Sequence, residues 1–186
     1  FIVDEAQDNS EALWDFAKLV ITESRESIVA VNGLDLEKLK KLALLNTRKR
    51  IRLCAHKTPD DKLHEMIIVH TKECYVRPHK HLHRAESITI LEGEADLILF
   101  KDNGSIANVI GMNEVNSGKT FFHRISDPIY HMLIIRSDFL VFHESTEGPF
   151  NREDTDFPEW APLEGDKNFG SFMKLIESDI SKRINC

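Results

Sequence analysis

The segment YVRPHKHLHRAESITILEG, residues 75–93, gathers the side chains of this chain best suited to chemistry. His79 and His81 are separated by one residue, Glu86 follows after four more, and Gly93 after a further six. A β-strand turns alternate side chains to one face, so His79 and His81 can project together. A tight connection over residues 83–85 would reverse the chain and return Glu86 beside them on the next strand. Gly93, flanked by Glu92 and Glu94, suits the turn that follows. Two imidazoles and a carboxylate on adjacent strands supply most of a donor set for one borderline divalent metal ion: Zn, Fe, Mn or Ni. His83 competes as a donor, but pairing it with His81 leaves only two residues before Glu86, so His83 reads as a rim residue. The plainer alternative for the three histidines is a polar hairpin tip.

These residues need a rigid β scaffold, and the pattern from residue 50 onward predicts one. Short strand candidates run over 50–56, 63–70, 73–81, 86–92, 95–101, 105–111, 119–125, 129–136 and 139–144, separated by Asp, Asn, Gly, Ser and Pro. Strands at this density without intervening helices mean a sandwich or a barrel, and a jelly-roll double-stranded β-helix has this economy. Before the barrel, Ser10 can cap a helix carrying Leu13, Phe16, Ala17 and Val20, and SIVAV (27–31) is a short strand. Asn32-Gly33 reads as a turn, and Asp35 opens a second amphipathic helix with Leu36, Leu39, Leu42 and Ala43 on one side. After residue 150 the chain is irregular and rich in proline, acid and aromatics. It ends in a helix striped with Phe169, Phe172, Met173, Ile176 and Ile180, suited to packing on the barrel or on a second subunit. The expected organisation is an extension over 1–49, a β-barrel over 50–150, and a tail with helix over 151–186.

Composition narrows the function. With 41% hydrophobic and 30% charged residues among 186, the chain reads as a single globular unit. A net charge of −7 argues against bulk nucleic-acid binding, which rests on neutralising phosphates. The basic cluster TRKRIR (47–52) reads as a solvated helix end. No apolar run approaches the ~20 residues of a membrane span, and no basic-then-apolar leader is present. Three cysteines without a C-x-x-C pair suggest a reducing, cytoplasmic setting, with Cys54 and Cys74 as small buried hydrophobes in strands.

The spacing His-x-His-x4-Glu-x6-Gly resembles the first signature motif of the cupin superfamily, small β-barrels that hold one metal by this motif and a later histidine. Two residues could supply that histidine. His131 follows Ser126-Asp127-Pro128 at the start of an apolar strand, whereas His123 lies inside its strand. The turn favours His131, with His123 the alternative. The second motif is degenerate, with Pro128 where the family has glycine and Ile135 where it has asparagine. More widely, RIRLCAH, YVRPHKH, ESITILEGEADLILF, Tyr130-His131, FHESTEGPF and WAPLEG, across residues 50–165, resemble the WbuC-type cupins. That resemblance implies a single-metal cupin barrel with flanking helices, acting in bacterial surface-polysaccharide metabolism.

Strand parity extends the site. Tyr75 and Arg77 share a face with His79 and His81, while Arg52, Cys54 and His56 alternate against Ile51, Leu53 and Ala55. Guanidinium groups inside a barrel require a partner, either an internal acid such as Glu144 or a bound anion. Arg52, His56, Tyr75, Arg77 and Glu144 are therefore the candidate binding residues for a small anionic or sugar-derived ligand. His64 and His70 read as packing histidines, and Trp160 as packing or a cover for the barrel mouth. Three functions fit: a metal-dependent small-molecule enzyme, a ligand-holding sensor without turnover, or an iron-dependent dioxygenase. No residue is singled out as catalytic, and a homodimer is the expected assembly.

Overall fold

The computed structural model describes residues 23–25 and 28–184; the helix expected after Ser10 lies outside them. Strands β1 (Glu23–Arg25) and β2 (Ile28–Ala30) form a short antiparallel pair. Helix α1 (Gly33–Leu45) starts earlier than Asp35 because Asn32 is its cap. The Asn32 side chain accepts from the Leu34 and Asp35 N–H groups, and the Asp35 carboxylate accepts in return from the Asn32 N–H. That reciprocal box satisfies donors that helix geometry leaves open, and it converts the expected turn into a helix start.

The rest is mainly β: β3 (Arg50–Cys54), β4 (Leu63–Thr71), β5 (Lys80–His81), β6 (Glu86–Glu92), β7 (Glu94–Phe100), β8 (Ile106–Asn113), β9 (Phe122–Ile125), β10 (His131–Ile135), β11 (Phe139–Glu147) and β12 (Thr155–Asp156), closed by helix α2 (Phe169–Ile184). A five-stranded sheet in the order β3-β4-β11-β6-β9 faces a three-stranded sheet in the order β10-β7-β8. All of these strand pairs are antiparallel. This is the jelly-roll double-stranded β-helix of the cupin type.

Period-two alternation sorts the side chains between the inside of the barrel and two outer layers. Inside, Met66, Ile68, Ile88, Ile90, Leu140 and Phe142 of the larger sheet meet Ala95, Leu97, Met112, Leu133 and Ile135 of the smaller. The outer face of the larger sheet, with Ile51, Leu53, Val69 and Val141, lies under Leu39, Leu42 and Ala43 of α1. The outer face of the smaller sheet, with Ile98, Phe100, Met132 and Ile134, lies under Ile176 and Ile180 of α2. Both helices thus cover sheet faces that would otherwise be wet. At the β6–β7 turn Gly93 has φ +92, and a Cβ there would fall 2.2 Å from the Phe139 carbonyl oxygen, so the turn needs glycine.

Three local expectations are corrected. Residues 73–79 are not a strand: Pro78 has no N–H to give a ladder, and only Lys80–His81 pairs regularly, with β12. Cys74 is buried but sits in this irregular stretch, while Cys54 is buried in β3 as expected. The basic cluster 47–52 is not a helix end, since α1 stops at Leu45 and Arg50–Cys54 is the first barrel strand.

Candidate metal centre

Four side chains converge at one end of the barrel. In register, β6 runs beside β11 and β9, so Glu86 lies across from Thr146 and Ile125 on the inner face. His131 opens β10 directly after the Pro128 turn. Although His79 lies outside any strand, its backbone exchanges two hydrogen bonds with His131, N–H to carbonyl at 3.1 and 2.8 Å. His81 arrives two residues later on β5. One donor atom from each of His79, His81, Glu86 and His131 lies within 4.8 Å of the others, close enough for the group to hold one metal ion. His83 is exposed and outside this group.

Hydrogen bonding prepares the donors. His79 Nδ1 lies 2.8 Å from the Arg77 carbonyl and His131 Nδ1 2.9 Å from that of Ile129. A carbonyl only accepts, so each Nδ1 carries the proton and each Nε2 is left with a lone pair facing inward. The His131 Nε2 is buried without a hydrogen-bond partner, 3.6 Å from Glu86 Oε1. An orphaned buried nitrogen beside a carboxylate and two more imidazoles is what a divalent cation would satisfy, so these residues fit one.

Burial and the neighbouring charges act differently on each group. Burial, helped by neighbouring His131, pushes His79 down to about 3, which keeps the ring neutral. For Glu86, burial favours the protonated form, but the imidazoles of His131 and His81 beside it outweigh that and hold the carboxyl well below its ordinary value. Burial likewise disfavours charge on His131, yet the Glu86 carboxylate raises its pKa. Glu144 moves the other way. Burial first and the Glu86 carboxylate second push it up to about 7, against the pull of Arg52.

A cavity of about 60 Å³ is lined by His79, Glu86 and His131 of the four, together with Glu144, His123, His70 and an apolar wall that includes Ile88, Leu97 and Phe142. Of the expected binding residues, only Glu144 lines it. Arg52 points inward one rung away, its Nη1 3.9 Å from Met66 Sδ. His56 lies beyond the end of β3, its ring stacked on His64 with centroids 4.0 Å apart. Tyr75 and Arg77 turn to the tail instead: Tyr75 Oη donates to the Pro162 carbonyl, and Arg77 Nε to that of Ala161.

The sequence pointed to Trp160 in that tail but not to the pairing that ties the tail to the site. Strand β12 pairs with β5, Thr155 opposite His81 and Asp156 opposite Lys80. Phe157 reaches over His79, ring centroids 5.9 Å apart, and Asp156 accepts from Tyr130 Oη at 2.6 Å. Trp160 packs against Phe100, Tyr130 and Phe172 rather than facing open solvent alone. Residues 154–162 therefore strap the end of the barrel where the four side chains converge. The available signal was the density of proline and aromatics in an otherwise irregular stretch.

With a jelly-roll barrel and a clustered histidine and glutamate donor set, the chain is a cupin-fold protein with a candidate metal centre. Residues 31–112 match a family described as a domain of unknown function (DUF6016). No curated protein matches the sequence. Among solved structures it is similar to the capsular polysaccharide assembling protein CapF from Staphylococcus aureus, at 19% identity over 61% of this chain and 33% of that one, TM-score 0.49. Oxalate decarboxylase from Bacillus subtilis aligns at 13% identity over 58% of this chain and 27% of that one, TM-score 0.43. The Schizosaccharomyces pombe Cnp3 cupin domain aligns at 9% identity over 54% of this chain and 66% of that one, TM-score 0.39. The chain thus spans about a third of CapF and a quarter of the decarboxylase. Among the described residues, no helix is long and apolar enough to cross a membrane.

Proposed function

We propose that the protein is a single-metal cupin enzyme holding one divalent ion through His79, His81, Glu86 and His131. The observation that carries this is the convergence of four donor atoms within 4.8 Å around the unpartnered Nε2 of His131. An ion held there would act as a Lewis acid toward a small ligand in the adjoining cavity. The apolar wall excludes water and limits the size of that ligand. Arg52 adds positive charge near the cavity, which favours an anion. Glu144, with a carboxyl pushed up to about 7, is the group able to give or take a proton near neutral pH. In the finer reading the chain is of the WbuC type and acts on a sugar-derived anion of surface-polysaccharide metabolism; the motif pieces across residues 50–165 support it.

The test is elemental analysis of protein purified without added metal. About one divalent ion per chain is expected, falling to near zero in the His79→Ala, His81→Ala double variant. Full occupancy in that variant, with the fold intact, would sink the reading.

A further inference from the structure

His123 lines the same cavity, yet it is not one of the four converging donors. It sits on β9 opposite Ile88, one inward position along from the Ile125 that faces Glu86. Its Nδ1 is 3.2 Å from the Met112 sulfur. A thioether has no proton to give, so the contact requires the proton on Nδ1 and leaves Nε2 as a pure acceptor. That Nε2 is buried and has no hydrogen-bond partner, in a residue only 8% exposed. Burial pushes the imidazole down to about 4, which agrees with a neutral ring. A buried acceptor without a donor is unfavourable, and the residue that carries it lines a cavity.

Charge and size restrict what that ligand is. A divalent ion and Arg52 favour a carboxylate, His123 requires a hydrogen-bond donor, and Ile88, Leu97 and Phe142 require a short carbon skeleton. One water needs ~10–15 Å³ of such space, so the cavity of about 60 Å³ accommodates only a handful of heavy atoms. We propose that the cavity takes a small hydroxy carboxylate, or the hydroxy-acid end of a larger molecule, whose hydroxyl donates to His123 Nε2. The proposal rests on the metal reading above and adds the specificity-determining contact.

Glycolate and acetate differ by the one hydroxyl and serve as probes, with affinities measured calorimetrically on the metal-loaded protein after its metal content is determined. Wild-type protein is expected to bind glycolate about three- to tenfold more tightly than acetate, the worth of one neutral hydrogen bond. His123→Leu should erase the preference while metal content stays at the wild-type value. Should that variant fail to fold, Met112→Leu carries the test: it removes the acceptor that fixes the Nδ1 proton, and the preference should shrink. Equal binding of the two acids by the metal-loaded wild type, or an unchanged preference in the folded variant, would overturn the proposal. Loss of metal in folded His123→Leu would make His123 a ligand and overturn it equally. A wild type that binds no metal would overturn the earlier reading, and this one with it.

Discussion

Arg84 directs its guanidinium at the side of His81 that faces away from Glu86: Arg84 Nε lies 3.4 Å from His81 Nδ1, while His81 Nε2 lies 3.1 Å from Glu86 Oε2. Arginine only donates, so this contact places the His81 proton on Nε2, opposite to the arrangement in His79 and His131. A metal needs that nitrogen free. Binding through it moves the proton to Nδ1 and displaces Arg84, whose Nη2 also donates to Thr155 Oγ1 at 3.0 Å.

Removing Arg84 should therefore strengthen metal binding. Arg84→Met deletes both the competing hydrogen bond and a positive charge near the cation, and a charge-assisted bond is worth about 1.5–3 kcal/mol. At least a tenfold gain in zinc affinity is expected in a chelator competition. A weaker affinity would show instead that Arg84 supports His81 in the loaded state.

The parts of this site encoded locally were legible before the fold was. His79, His81 and Glu86 were brought forward by their spacing, a short-range property of the chain, although His79 itself lies just outside β5. The Pro128 turn favoured His131 over His123, and it is His131 that joins the cluster. What no local pattern shows is the backbone pairing of His79 with His131, far apart in sequence, or β12 lying along β5. Parity also misled where the strand failed. Extrapolated through Pro78, it set Tyr75 and Arg77 on the ligand face, whereas the irregular segment turns both toward tail carbonyls. Past Cys54 it carried His56 inward, while the strand ends and His56 stacks on His64.

Buried His70 gives a stability prediction with a definite sign. Burial, aided by Arg50, Arg52 and Arg48, pushes it down to about 3, against an ordinary value of 6.5. Between those values the unfolded chain binds a proton at this position that the folded chain does not, so stability rises with pH there. The contribution is complete above about 6.5 and is lost as pH falls toward 3. At pH 5 the loss is about 2 kcal/mol for this one residue. Urea unfolding from pH 7 to pH 5 should therefore show a shallower acid loss in His70→Leu than in wild type, by roughly that amount. Parallel pH profiles would mean that His70 does not stay neutral in the folded barrel.

The last prediction concerns Arg77, for which two roles compete. Its Nε donates to the Ala161 carbonyl at 3.1 Å, and its guanidinium carbon lies 5.0 Å from the centre of the Phe157 ring. Both contacts hold the strap of residues 154–162 against the end of the barrel where the four side chains converge, and the side chain does not line the cavity. Arg77→Met keeps most of the aliphatic bulk but removes the donors, at a cost of about 1.5–3 kcal/mol, concentrated in the strap. Amide hydrogen exchange should accelerate by about tenfold or more at Leu82, whose N–H donates to the Asp154 carbonyl, and at Ala161. The exchange of β4 and β11 amides should not change, because those strands pair without the strap. Metal content should also hold, since no metal-binding atom of His79 or His81 depends on the guanidinium. If strap exchange is unaltered while binding of acetate to the metal-loaded protein weakens, Arg77 meets the anion directly, and its hold on the tail is secondary.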